Sequence, residues 1–122
     1  RGLGDVYKRQ ILVDMVGGRG SKFYREGQSQ YNAPALNDAV WAVALGSDKA
    51  AYFSNQTGGA VTDDHVKFLA AGIPAIDIIA FDPTSGTGFH PTWHTANDNL
   101  ANIDPQVLAA VGQVLLNYIY AR

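Results

Sequence analysis

Between Thr62 and Ile79 the sequence reads TDDHVKFLAAGIPAIDII, and its pattern changes once, at Gly72. Before that glycine, Asp63, Asp64 and His65 lead into Val66, Phe68, Leu69 and Ala70, the start and stop pattern of a short helix. After it, Pro74 opens the run AIDII, whose β-branched residues and short length predict a buried strand of an α/β sheet. A polar loop rich in Gly, Pro, Thr and Ser then runs to Trp93-His94-Thr95. That loop puts an imidazole beyond the carboxyl end of the strand, where α/β proteins build their sites.

The rest of the chain reads as scaffold for this stretch. ILVDMV, residues 11 to 16, is an apolar run with one acid, stopped by Gly17-Gly18, and predicts a second buried strand carrying Asp14. Residues 19 to 32 lack a period and read as a loop, with a short edge strand around Phe23 to Arg25 and with Arg25 and Glu26 solvated. From Pro34 the spacing Leu36, Ala39, Val40, Val43, Ala44 is helical, and Gly46 stops it. Ala50 to Phe53 suits a short strand, and Asn55 to Ala60 a polar Gly-Gly loop. Asp104-Pro105 opens a last helix with Val107, Leu108, Val111, Val114, Leu115, Tyr118 and Ile119 on one face. Alternating strands and helices without a repeat or linker predict one layered α/β domain.

Composition narrows the functions open to such a domain. Nine Lys and Arg against eleven Asp and Glu give a net charge of −2, with no basic stripe, so nucleic acid is not an expected partner. No run of about 18 apolar residues exists to span a membrane. With no cysteine there are no disulfides and no thiol chemistry. The first ten residues, RGLGDVYKRQ, lack apolar periodicity and resemble translated adapter sequence, so they are expected to be a non-native leader, with residues 11 to 122 as the carboxyl-terminal part of a longer domain.

Three residues stand out chemically, each with an ordinary alternative. A lone carboxylate in a buried strand must be paired, hydrogen-bonded or metal-bound, so Asp14 needs a partner, either a site or backbone N–H groups and Arg19. Asp63 is a site acid or the cap of the helix it precedes. His94 is a metal ligand, a general base or a hydrogen-bonded loop residue. His65 is expected to be structural.

The order LVDMVG, TDDH, AGIPAIDII, WHT, DN and a final apolar helix resembles the carboxyl half of the zinc-dependent glutaminyl-peptide cyclotransferases, members of the co-catalytic zinc aminopeptidase superfamily. The resemblance runs from about Ile11 to Tyr120. It implies a three-layer α/β/α fold around a mixed, mostly parallel sheet, here as a partial domain. It also implies zinc as cofactor, a peptide or protein N-terminus as substrate, and a periplasmic or extracellular location. Carried over by motif, His94 matches the zinc ligand of the last loop, and neutral imidazole suits zinc. Asp14 and Asp63 match the two acids of a hydrogen-bonded carboxylate network, Asp14 being instead a second-metal ligand in two-zinc aminopeptidases. Trp93 matches the tryptophan that shapes the pocket for the N-terminal glutamine, and Phe89 an aromatic lining of that pocket. The family's other ligands and its catalytic Glu come from an amino-terminal half with no counterpart in this sequence. Two other functions share the fold: an aminopeptidase, and a binding module without catalysis.

Overall fold

The computed structural model describes residues 9–82 and 102–120. Among these residues four strands and four α-helices follow one another as β1 (Gln10–Asp14), β2 (Phe23–Arg25), α1 (Gly27–Asn32), α2 (Pro34–Leu45), β3 (Phe53–Thr57), α3 (His65–Ala70), β4 (Ala75–Ile79) and α4 (Pro105–Tyr120). β1 pairs with β4 in parallel, placing Leu12 beside Asp77 and Asp14 beside Ile79. β2 pairs with β3, also in parallel. An antiparallel bridge between Phe23 and Ala80, with Phe81 N–H on Lys22 O at 3.2 Å, joins the two ladders. The pairing is therefore mixed but mostly parallel, as the sequence implies.

β4 is the middle of this arrangement, and all five of its residues are buried. Side chains alternate across a strand. Ile76, Ile78 and Ala80 enter the apolar core with Val40, Trp41 and Ala44 of α2 and Val107, Val111 and Val114 of α4. Asp77 faces the other way, toward His65 at the start of α3. Helices thus lie on both faces of β4: an apolar layer on one side and a polar buried layer on the other.

Several elements depart from the sequence expectation for identifiable reasons. β1 is half-buried and becomes exposed at Val13 and Asp14, because β4 is its only strand partner among the described residues. Residues 27 to 32 form a helix although GQSQYN has no apolar stripe; Glu26 caps it through Gln28 N and Ser29 N. Ala50–Tyr52 is a 3₁₀ turn, and the strand begins after it, running through the polar FSNQT. In α2 the inner face is Leu36, Asn37, Val40, Trp41 and Ala44, so Ala39 points outward and Trp41 inward, its Nε1–H on Ser54 O at 2.8 Å. In α4, Val107, Ala110, Val111, Val114 and Tyr118 are buried, while Leu108 and Ile119 are exposed.

Arg25 is also not solvated. Its guanidinium bonds Asp38 at 2.6 Å, Gln30 at 2.9 Å and Asn55 at 2.7 Å, and lies 5.9 Å over the Trp41 ring. Next to it, Gly58 N–H donates to Arg25 O, tying the Gly-Gly loop to the end of β2. A Cβ on Gly58 would come within 2.9 Å of the Phe81 ring and 3.0 Å of Tyr24 Cβ. Gly58→Ala is accordingly expected to cost about 1–3 kcal/mol, the usual range for overpacking, read as a lower denaturant midpoint at unchanged m-value.

Candidate functional site

The end of β1, the middle of β4 and the start of α3 bring the acids together. Asp14 is the last residue of β1, and Met15 after it has a left-handed φ of 52°, which turns the chain off the sheet there. Asp63 lies two residues before α3. Its side chain does not cap that helix: Asp64 is the N-cap residue, without a side-chain cap bond, and Asp63 Oδ1 accepts the Asp64 N–H at 2.8 Å. The Asp63 carboxyl instead lies close enough to that of Asp14 for each to shift the other.

Asp77 completes a group of three carboxyls, and the sequence reading passed over it. It is fully buried in β4, and its N–H donates to Ser29 Oγ at 2.9 Å. Asp77 stands close enough to Asp63 for each to shift the other, though neither of its oxygens has a partner in good hydrogen-bond geometry. Burial first, then Asp63, Asp14 and Glu26 nearby, push its pKa up to about 8. Asp14 is raised as well, by partial burial and then by Asp63. For Asp63 partial burial works against ionisation. The Asp64 N–H, the Asp77 and Asp14 carboxyls and His65 outweigh that and hold it below the usual carboxylate range. The result is one carboxyl held toward its ionised form beside two pushed toward their protonated forms, of which Asp77 can take up or release a proton near neutral pH.

Beneath this group lies a second buried charge. Glu26, expected at the surface, is fully buried. Its Oε1 accepts from Ser29 N at 2.9 Å, Ser29 Oγ at 2.7 Å and His65 Nε2 at 2.7 Å. Its Oε2 accepts from Gln28 N at 2.8 Å and Val61 N at 2.9 Å. Burial alone would raise its pKa, but the Ser29 hydroxyl and the Val61, Gln28 and Ser29 N–H groups hold it low. An ionised carboxylate only accepts, so His65 Nε2 carries a hydrogen, and Nδ1 faces Asp77 Oδ2 at 3.7 Å. That separation is too long for a hydrogen bond.

Phe89, Trp93 and His94 lie outside the described residues. Among the described residues no three His, Cys, Asp or Glu side chains stand together as a metal-binding group, so these residues alone do not complete a zinc site. Asp77 was within reach of the argument applied to Asp14, since an acid inside the otherwise apolar AIDII also needs a partner. Glu26 carried a weaker signal, a carboxylate three residues before Ser29 at the start of a segment with no stripe.

Similarity to known proteins converges on one family. The peptidase family M28 model matches residues 5–119. The glutaminyl-peptide cyclotransferase-like protein of Bos taurus is 36% identical over 67 residues, 52% of this chain and 16% of that protein. The glutaminyl-peptide cyclotransferase of Bothrops jararaca is 26% identical over 117 residues, 89% of this chain and 30% of that protein. The structure of Porphyromonas gingivalis glutaminyl cyclase superposes with a TM-score of 0.90 at 40% identity, over 98% of this chain and 48% of that one. A Zn-dependent exopeptidase from Parabacteroides distasonis superposes with a TM-score of 0.86 at 46% identity, over 92% and 39%. The chain thus spans less than half the length of each of these relatives. A match over nearly the whole sequence, on an α/β fold shared with glutaminyl cyclases, means that this chain belongs to peptidase family M28.

Proposed function

We propose that residues 11 to 122 form the carboxyl half of a zinc-dependent glutaminyl-peptide cyclotransferase, which converts an N-terminal glutamine of a peptide or protein into pyroglutamate with release of ammonia. The observation that carries this is the convergence of the Asp14 and Asp63 carboxyls on a fold shared, at 40% sequence identity, with a glutaminyl cyclase. In the reaction the α-amine attacks the γ-carbonyl, a C–N bond closes the five-membered lactam, and the γ-amide nitrogen leaves as ammonia. One proton must leave the amine and one must reach the leaving nitrogen. Asp63, held toward its ionised form beside the Asp14 carboxyl, suits a network that orients and tunes the base shuttling that proton. His94 would be this chain's zinc ligand, with the others from a preceding portion of the enzyme; bound zinc would act as a Lewis acid. Trp93 and Phe89 would line the glutamine pocket. An exported location, periplasmic or extracellular, belongs to the same proposal.

A second reading is an aminopeptidase, which the Parabacteroides distasonis exopeptidase and a leucine aminopeptidase precursor from Bacteroides thetaiotaomicron, at 44% identity, favour. Asp14 would then bind a second metal. One zinc per complete chain fits the cyclase, and two the aminopeptidase.

The test is zinc content together with steady-state kinetics on a Gln-Xaa peptide, in the complete protein. His94→Ala is expected to lower zinc affinity and to cut activity by more than about 100-fold. Trp93→Ala should keep zinc but lower kcat/KM by about tenfold, the scale of one lost pocket contact. An imidazole supplies a lone pair to the metal, whereas an indole offers only an N–H and an apolar face. Full zinc affinity in His94→Ala would sink the metal assignment, and normal kinetics in Trp93→Ala the cyclase pocket.

A further inference from the structure

We propose that Glu26 and His65 are positioning residues that set the place of the Asp63 carboxylate; this rests on the reading of Asp63 as part of the cyclase site. Two of the Glu26 contacts, to Gln28 N and Ser29 N, cap a six-residue helix, and Ser29 Oγ adds a third. A cap of that kind gains about 1 kcal/mol and needs no buried charge. The other two contacts are of a different kind. They reach Val61 N and His65 Nε2, separated from Glu26 by 35 and 39 positions in sequence. Those two residues bracket Asp63, two before it and two after. Both ends of the five-residue bow that carries Asp63 are therefore pinned to one carboxylate.

Other contacts fix the frame from which Glu26 acts. Gly58 N–H donates to Arg25 O and Gly27 N–H to Gly59 O, each at 2.9 Å, so the segment leading into the bow is sewn to the residues flanking Glu26. Ser29 Oγ donates to Glu26 and accepts from Asp77 N, locking the same carboxylate to the middle of β4. β4 in turn carries β1 and hence Asp14 in fixed register. The distance between the Asp14 and Asp63 carboxyls is thus set through a continuous rigid path: β1, β4, Ser29, Glu26, then Val61 and His65. A carboxylate that must meet a proton at a defined point gains from such bracing, because a misplacement of about 1 Å can cost 100-fold in rate.

The experiment is a double-mutant cycle in the complete, zinc-loaded protein, reading kcat and KM on a Gln-Xaa peptide together with zinc content and melting temperature. His65→Leu removes the donor to Glu26, whereas His65→Gln keeps an N–H at the position of Nε2. His65→Leu is expected to lower kcat about tenfold with KM within about twofold, and His65→Gln to recover most of it. In an Asp63→Asn background, where the braced carboxylate is gone, His65→Leu should change kcat by less than about twofold. An equal fall in both backgrounds, a change confined to KM, or no fall in His65→Leu while Asp63→Asn is impaired would overturn the proposal and leave the cyclase reading standing. Wild-type kcat in Asp63→Asn would instead remove Asp63 from the site, and the proposal with it. Should His65→Leu not fold, His65→Asn, whose amide stops short of Glu26, takes its place in the same cycle.

Discussion

Glu26→Ala is expected to destabilise the fold by about 3–5 kcal/mol, the scale of removing one partner from a buried, hydrogen-bonded network that holds a charge. The variant would leave the Gln28, Ser29 and Val61 N–H groups and His65 Nε2 facing a void, and each buried donor without an acceptor costs about 1–3 kcal/mol before relaxation. Glu26→Gln should recover little. Both carboxylate oxygens already face two or more donors, so the amide NH₂ must point at N–H groups whichever way it turns. The measurement is the urea midpoint at constant m-value. A change within about 0.5 kcal/mol, normal for a surface glutamate, would mean that the buried layer does not support the fold.

Asp77→Asn is expected to make the protein more resistant to alkaline pH. In the fold this carboxyl has its pKa raised from 3.8 to about 8. A group whose folded pKa lies above its unfolded value contributes stability that is fully present below the unfolded pKa. That contribution is lost as pH rises through the window from about 4 to about 8. Asn is close in shape and cannot ionise, so the variant should gain on the wild type across the window by an amount on the order of a few kcal/mol. Asp14, raised by partial burial and by Asp63, adds to the alkaline loss in both proteins. Glu26 and Asp63 act in the opposite sense, since their depressed pKa values give stability that is lost as pH falls. Urea midpoints of both proteins at pH 5 and pH 8.5 read the effect. Parallel curves would mean that Asp77 ionises in the fold without cost.

The parts of this fold legible in the sequence are those in which period and burial coincide. AIDII, the helix from Pro34 and the helix from Pro105 show their type because many apolar contacts depend on it. α1 and β3 do not show theirs, since GQSQYN and FSNQT are held by polar contacts from elsewhere: the Glu26 cap, buried Ser29, and backbone pairing to β2. Asp14 and Asp63 were legible as acids in places that demand a partner. Asp77 and Glu26 were harder, because the contacts that bury each one include partners 30 to 50 positions away in sequence.

β4 presents Ile76 and Ile78 to the apolar layer and Asp77 to the other. Were β4 to shift by a single residue, every side chain would change faces. The carboxyl would then enter the cluster around Trp41 and Val111, and Ile76 and Ile78 would displace it from the polar layer around Glu26. An all-apolar strand would tolerate such a slip at modest cost, since both layers would accept it. Asp77 therefore favours the observed pairing of β1 with β4: the acid buried in the site also penalises a slipped register.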